Sequence, residues 1–456
     1  MSTTIGVADG IPAATHEASG FPPASQGWFA VAVLALSTTF ALLDQGILGL
    51  LIQQIKTDFA LSDTEAGWLL GPAFVIFYLV VVLPLSWLID RGNRTLIVSI
   101  GIFIWSLATA ACGLATSFIQ LFLARTLVGA GEAVNGPAAY SIVADYFPRD
   151  RLPRAIATLQ IGSAAGGGLS LLLGGMMIYI VASIGTPELP IVGPMRPWQV
   201  VFIAVGLPGI LVALLLRQVR EPPRRGLGSM PPKVGFFKAM NYLWVHFALF
   251  GPLFLGLTLG SLDMGFRAWG APFFQRTYGW MPGFYGVTSG ILSLALMLTG
   301  LYLGTKWVEW FQNQGKVDGA FRVILYTRLV SIPFAILTPL MPNPWLALAC
   351  SGVGFLTLGM SGPMLNAVLL IVTPNAIRGQ FAALYLFIFT VVGQGIGPLV
   401  TGVVTDYVFT SPDDLRWSIL LLHVAFLPAA LVVTWLGWKP YREEVERLNR
   451  VDPQTT

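Results

Sequence analysis

Residues 198–225 read WQVVFIAVGLPGILVALLLRQVREPPRR: an uncharged apolar run, followed at once by a basic segment with a proline pair. An α-helix of about 20 apolar residues crosses the hydrocarbon core of a membrane. Lys and Arg near the end of a span are retained on the cytoplasmic side. The stretch therefore predicts a membrane-spanning helix that ends in a cytoplasmic loop.

The rest of the chain repeats this pattern. Of its 456 residues, 55% are hydrophobic and 11% are charged, against about 25% charged residues in soluble domains. This composition excludes a soluble protein, and because the apolar runs do not alternate with polar residues, it also excludes the strands of a membrane β-barrel. The predicted fold is an all-α membrane protein with twelve transmembrane helices. The predicted spans are 27–55, 66–89, 95–115, 118–146, 154–181, 198–216, 240–275, 284–311, 322–341, 345–372, 379–408 and 416–438.

The basic residues predict the orientation of these spans. Of the 26 Lys and Arg residues, nineteen fall in loops or tails on one side and four on the other. We therefore expect both termini in the cytoplasm and the protein in the cell (inner) membrane. The net charge of +4 does not indicate nucleic-acid binding, since the charges follow the loops rather than one face.

Two proline pairs, at 222–223 and 231–232, divide the chain into two sets of six spans. Two pseudo-symmetric six-helix halves are typical of secondary transporters, which bind their substrate between the halves. The predicted organisation is a disordered N-terminal tail (1–26), a six-helix bundle (27–216), a cytoplasmic linker (217–238), a second six-helix bundle (239–438) and a cytoplasmic C-terminal tail (439–456).

Five ionisable residues inside the predicted spans are candidate site residues: Asp44, Arg125, Glu132, Asp263 and Arg267. Such a group costs about 2.5–3.5 kcal/mol on membrane-insertion scales. Each is therefore expected to face a partner or a hydrated cavity.

Asp44 and Arg125 are predicted to lie at similar depth, with Glu132 two turns from Arg125 on the same helix face. Burial disfavours a charged carboxylate, whereas a nearby arginine favours it, so small rearrangements can move a proton. We expect Asp44 and Glu132 to couple to protons. The alternatives are a permanent Asp44–Arg125 bridge that only fixes helix packing, and a neutral, hydrogen-bonded Glu132.

Asp263 and Arg267 are four residues apart, which favours an ion pair on one face of span 7. In the alternative interpretation they bind substrate in the same cavity, because Asp263 is the counterpart of Asp44 in the second half. Arg328 is expected to extend to the cytoplasmic interface and to have no role in the site. His423 is expected to be a packing residue.

The loop between spans 2 and 3 reads Asp90-Arg91-Gly92-Asn93-Arg94. A carboxylate here can meet a helix N-terminus or an arginine of the other half when the cytoplasmic side closes. Asp90, Arg91 and Arg94 are therefore predicted to form a cytoplasmic gate. The alternative is that the arginines only set the topology.

From about Trp28 to Trp438, the twelve spans, this loop and the glycine-rich spans 5 and 11 resemble the major facilitator superfamily. Within it, the segments at 123–133 (LARTLVGAGEA) and 144–147 (ADYF), with Trp105-Ser106, resemble the Spinster family. Members of that family move lysophospholipids or sphingosine 1-phosphate, some with protons. The resemblance implies that Asp44, Arg125 and Glu132 line a central cavity and that Arg125 contacts an anionic head group.

The function predicted from the sequence is alternating-access transport, coupled to protons, of a lysolipid or a related anionic or zwitterionic amphiphile by a monomer. Three alternatives remain: a proton-driven exporter of drugs or organic anions, a facilitator without ion coupling, and a membrane-embedded sensor or scaffold without net transport. The sequence indicates no catalytic residues, no cofactor and no metal site. Cys112 and Cys350 both lie in apolar runs, so neither predicts a disulfide framework.

Overall fold

The computed structural model describes residues 21–148, 150–185, 188–189, 193–224 and 236–451. Most of the predicted N-terminal tail, part of the predicted linker and the last five residues lie outside this range. In the first half the helices are α1 (Ala24–Phe59), α2 (Asp63–Leu70), α3 (Pro72–Arg91), α4 (Arg94–Cys112), α5 (Phe118–Glu132), α6 (Asn135–Tyr146), α7 (Leu152–Ile184) and α8 (Pro197–Leu216). Between α7 and α8, β1 (Glu188–Leu189) pairs antiparallel with β2 (Gly193–Pro194).

The second half is also helical in its described part. Its helices are α9 (Phe236–Val245), α10 (Phe247–Arg267), α11 (Gly270–Tyr278), α12 (Pro282–Asn313), α13 (Gly319–Leu337), α14 (Pro344–Ile371), α15 (Arg378–Ile388), α16 (Gly397–Val404) and α17 (Leu415–Val451). Two π-helical segments, Phe389–Ile396 and Thr405–Phe409, adjoin α16, and two short 3₁₀ turns are Thr338–Leu340 and Pro412–Asp414.

Within the described residues, eleven helices are long and apolar enough to cross a membrane. The predicted fourth span is divided into α5 and α6, each too short to cross alone, and together they complete the twelve. The predicted fold class is therefore confirmed: this is an all-α, multi-pass membrane protein.

Pro137 explains the division of the fourth span. A proline lacks the N–H that would bond to the carbonyl four residues earlier, and its ring clashes with that carbonyl. The carbonyl concerned belongs to Ala133, and α5 ends at Glu132 whereas α6 begins at Asn135. The helix is thus interrupted directly after one of the candidate site residues.

Several helix boundaries differ from those predicted by hydrophobicity. Helix α1 begins at Ala24, inside the predicted tail, and α9 begins at Phe236, inside the predicted linker. Helix α17 continues past 438 to Val451. Its polar end carries ion pairs one turn apart, including Arg447–Glu444 at 2.6 Å. Such pairs support a helix, but hydrophobicity cannot reveal them.

The two halves meet mainly along α7 with α12 and along α2 and α3 with α16 and the π-helix before it. Glycines allow the close approach: a Cβ on Gly168 would lie 2.7 Å from the backbone N of Leu294, and a Cβ on Gly175 would lie 2.6 Å from that of Val287. We call the end of the molecule where α1 begins and α17 ends the terminal side, and the opposite end the far side. Gly168 lies midway along α7, whereas Gly175 lies in the half of α7 nearer the far side.

Candidate functional site

Asp44 and Arg125 form a buried ion pair between α1 and α5. Arg125 Nη1 donates to Asp44 Oδ2 at 3.0 Å, and the side chains are 2% and 3% exposed. The similar depth predicted for Asp44 and Arg125 from the sequence thus corresponds to a direct contact between the two side chains. A buried ion pair gives weak net stability, but removal of one partner leaves a buried charge without compensation.

Glu132 lies beside this pair but has a different partner. Gln45, which follows Asp44 on α1, donates from Nε2 to Glu132 Oε2 at 2.7 Å. Glu132 is buried and is the last residue of α5, next to the break caused by Pro137. The positions of both carboxylates therefore depend on side-chain contacts between α1 and α5.

Several polar atoms of this group are unsatisfied. Asp44 Oδ1, Arg125 Nε and Glu132 Oε1 are buried and make no hydrogen bond of normal geometry, although the Thr109 hydroxyl lies near the Asp44 carboxylate. Buried polar groups are usually paired, and each exception calls for an explanation. The group contains two carboxylates and one guanidinium, which pairs with Asp44 alone, so one negative charge is left over when both carboxylates are ionised. A proton taken up by either carboxylate neutralises that excess.

A second cluster lies in α10. Arg267 Nε donates to Asp263 Oδ2 at 2.7 Å, as the four-residue spacing indicates. The other oxygen, Asp263 Oδ1, lies 3.5 Å from Nε2 of His423 on α17. No hydrogen bond or ion pair between described side chains joins this cluster to Asp44 or Glu132. The sequence predicts only a packing role for His423, because nothing in its surroundings links it to a residue 160 positions earlier.

Arg328 corrects another expectation. Instead of extending to the membrane interface, its Nη1 donates to the carbonyl of Ala430 at 3.1 Å and to Thr434 Oγ1 at 2.5 Å, both on α17. Because α13 begins at Gly319, the nine-residue offset places Arg328 about 14 Å from the terminal side. It is held inside the second bundle because these two acceptors lie there.

The predicted gate residues have different surroundings. Arg94 is buried and donates to Asp145 Oδ2 at 2.5 Å and to Glu221 Oε1 at 2.6 Å, so it is held within the first half. Arg91 is exposed and stacks over the ring of Trp87. Asp90 is exposed as well, and no described residue forms an ion pair with it.

A network on the far side was not anticipated from the sequence. Arg276 of α11 donates to both oxygens of the buried Asp63, at 2.8 and 2.6 Å, and to Gln53 Oε1 at 2.9 Å. Asp63 also contacts Lys56 at 2.5 Å. In the opposite direction, Asp406 of the second half accepts the backbone N–H of Thr64, at the start of α2, at 2.6 Å. These contacts connect the two halves. The sequence offers one hint of such a network, the acidic residues Asp63 and Glu65 at the start of the second span.

Comparison with known proteins places the chain in a family. The sequence model of the Major Facilitator Superfamily matches residues 34–398. The chain belongs to this superfamily. It is similar to a "MFS-type efflux pump" of Mycolicibacterium smegmatis (27% identity, over 92% of this chain and 94% of the relative). It is also similar to "Protein spinster homolog 3" of Homo sapiens (25% identity, over 93% and 84%).

A solved structure strengthens the assignment within the superfamily. It is a bacterial homologue of the human lysosomal transporter Spinster, in an inward-facing and unoccupied conformation. The TM-score is 0.74 at 26% identity, over 93% of this chain and 98% of that one. The chain is therefore a Spinster-like transporter of the major facilitator superfamily, as its sequence motifs indicate.

Proposed function

We propose that this protein is a proton-coupled secondary active transporter that moves a lysolipid, or a related anionic or zwitterionic amphiphile, by alternating access. In this proposal Asp44 and Glu132 bind and release the proton, and Arg125 binds the head group. The observation that carries the proposal is a buried group with two carboxylates and one guanidinium, in which Arg125 pairs with Asp44 and Gln45 holds the neighbouring Glu132.

The proton role rests on competition for Arg125. An anionic head group that binds Arg125 takes over the guanidinium from Asp44, and the freed carboxylate is then stabilised by a proton. Proton uptake and substrate binding thus depend on the same arginine. Glu132 responds to the same event because it follows Arg125 on α5 and contacts α1 through Gln45.

The contacts between the halves support an inward-facing state. The ion pairs of Asp63 and the close packing at Gly175 both lie toward the far side. The similar Spinster homologue is likewise described as inward-facing. If the terminal side is cytoplasmic, as the basic loops predict, the closed end faces out of the cell. Asp90, which has no described partner, is then available to pair when the cytoplasmic side closes.

Flux into proteoliposomes with and without a pH gradient tests the proposal. We expect the gradient to drive accumulation of a radiolabelled lysolipid, and we expect Asp44→Asn and Glu132→Gln each to abolish accumulation. Asp150→Asn and Glu309→Gln are matched controls, since these carboxylates are 74% and 49% exposed. Normal accumulation by either of the first two variants contradicts the proton role.

Export of drugs or organic anions is the second candidate, because the efflux pump of M. smegmatis matches nearly the full chain. Export of a cationic or neutral drug differs from the first candidate in its dependence on Arg125. A carrier of an anionic or zwitterionic head group loses transport in Arg125→Ala, whereas transport of a cationic or neutral drug persists. Ethidium efflux and lysolipid uptake by the same variant distinguish them.

A further inference from the structure

His423 lies where three helices of the second half meet, and the proposed function makes no use of it. It belongs to α17, its side chain is 9% exposed, and its ring packs edge-on against Phe266 of α10, with 5.3 Å between the ring centres. Nδ1 lies 3.0 Å from the backbone carbonyl oxygen of Ala335 on α13. Nε2 lies 3.5 Å from Asp263 Oδ1 on α10, which is the separation of an ion pair. Each ring nitrogen therefore faces an oxygen.

The charged groups around this ring belong to α10. Asp263 faces Nε2, and Arg267, one turn further along the helix, donates to the other oxygen of the same carboxylate at 2.7 Å. On the side toward α16, Leu422 and Phe266 pack against apolar residues. Charged residues of α17 and of the other elements packed against it have partners elsewhere, as shown by Arg328, Arg416, Arg276 and Asp406. Asp263 is therefore the anion that a protonated His423 meets.

Both oxygens that face the ring can only accept a hydrogen bond. A backbone carbonyl has no proton to donate, and the Asp263 carboxylate, which is ion-paired with Arg267, is an acceptor as well. A neutral imidazole carries a proton on one nitrogen and a lone pair on the other. In either neutral tautomer, one lone pair therefore points at an oxygen in a buried place. The imidazolium, with a proton on each nitrogen, matches both neighbours.

His423 is the central one of three polar contacts that join α17 to α13 and the turn after it. Arg416 of α17 donates to the carbonyl of Pro339 at 2.7 Å, and Arg328 of α13 donates to the carbonyl of Ala430 at 3.1 Å. An arginine remains charged and keeps its donors at every pH that a protein tolerates. A histidine changes its charge between about pH 5 and 8. Among these three contacts, the one at His423 therefore responds to pH, and it also reaches α10.

We propose that His423 is a proton-binding site of the second half, at which the protonated imidazole joins α17 to α10 through Asp263 and to α13 through the Ala335 carbonyl. The proton that leaves at higher pH is the one on Nε2, because Nδ1 makes the shorter contact. The Nε2 lone pair then faces the Asp263 carboxylate, and α10 loses its contact with α17 at this level. The site is separate from Asp44 and Glu132 and does not depend on the function proposed for them.

Nuclear magnetic resonance tests the site directly, because the chain contains three histidines, His16, His246 and His423. With His16→Gln and His246→Gln, His423 is the single histidine of the full-length protein in liposomes, and its nitrogen-15 signals show which ring nitrogens carry a proton. We expect a cation at about pH 5 that loses the Nε2 proton, and not the Nδ1 proton, as the pH rises to about 8. Asp263→Asn is expected to weaken proton binding about tenfold, since the opposite charge is removed. Glu309→Gln, an exposed carboxylate, is the matched control.

A His423 ring that is neutral at about pH 5, that loses the Nδ1 proton first, or that titrates identically in Asp263→Asn overturns the proposal. If Asp263→Asn does not fold, the melting temperature of the single-histidine protein decides. Because both contacts favour the protonated form, stability is present at low pH and is lost as the pH rises through the titration of His423. We expect this decline to disappear in His423→Gln, and an equal decline in both proteins contradicts the site. Failure of proton-driven uptake refutes the proposed function and leaves these measurements unaffected.

Discussion

At the level of single residues, Gln45 determines how Glu132 is held. Its side-chain amide supplies the one hydrogen bond described for the Glu132 carboxylate. A glutamine can donate to a carboxylate without neutralising it. Glu132 is therefore oriented but remains free of a direct ion pair, which suits a group that exchanges a proton.

We expect Gln45→Leu to lower proton-driven uptake by about tenfold, since a hydrogen bond to a charged group contributes about 1.5–3 kcal/mol. Exchange of labelled for unlabelled substrate without a pH gradient is expected to continue. Measurement of proton-driven uptake and of substrate exchange in the same vesicles distinguishes a defect in proton coupling from a defect in substrate binding. Gln53→Leu is an informative comparison, because Gln53 also lies on α1 but contacts Arg276. Loss of exchange in Gln45→Leu shows instead that Gln45 supports substrate binding or the fold.

At the level of helices, the break between α5 and α6 places Glu132 at a helix end. The run of helical backbone hydrogen bonds is interrupted there because Pro137 cannot bond to Ala133. An interruption of this origin is fixed in position, unlike general flexibility. The break also leaves Asn135 able to accept a hydrogen bond from Ser37 of α1 at 2.9 Å.

We expect Pro137→Ala to make the fourth span continuous and to move Glu132 away from Gln45. The physical reason is that the Ala133 carbonyl regains a donor and the steric clash disappears. Proton-driven uptake is expected to fall several-fold while the melting temperature in detergent does not decrease. Pro208→Ala, in the interior of α8, is the control. Unchanged uptake by Pro137→Ala shows that the break between α5 and α6 is not needed to position Glu132.

At the level of the whole molecule, the network around Asp63 joins the two halves on the far side. Arg276 and Asp406 reach from the second half to residues at the start of the second span. Asp63 is fully buried, so loss of Arg276 removes one of the two positive charges that compensate its carboxylate. The closed state is then less stable relative to the state in which the halves separate on this side.

We expect Arg276→Gln to shift the population toward a far-side-open state. Cys112 and Cys350 are first replaced, and spin labels are attached at the exposed positions of Thr57→Cys and Asp413→Cys. Pulsed electron paramagnetic resonance then measures the distance between the labels, which reports the separation of the two halves. The longer distance should gain population in Arg276→Gln. Lys306→Gln, which removes an exposed pair within α12, serves as control. An unchanged distance distribution shows that packing at Gly168 and Gly175 is sufficient for closure.

The membrane fold, the twelve helices and the family could be predicted from the sequence, because apolar runs, basic loops and motifs such as the one around Arg125 are local features. Asp263 and Arg267 could also be paired in advance, since both lie one turn apart on a single helix. Prediction of the helical end of α17 and of the break after Glu132 would have required more information than hydrophobicity. They depend on charge spacing and on one proline.

Contacts between distant residues were decided by the tertiary structure alone. Asp44 and Arg125 are 81 positions apart and Gln45 and Glu132 are 87 apart, so no local pattern gives the rotation of one helix about its axis relative to the other. The same reason explains why His423 joins Asp263, why Arg328 lies inside the second bundle, and why Asp63 binds Arg276. Transfer of apolar surface out of water fixes which segments enter the membrane, whereas side-chain packing between helices fixes which charges meet.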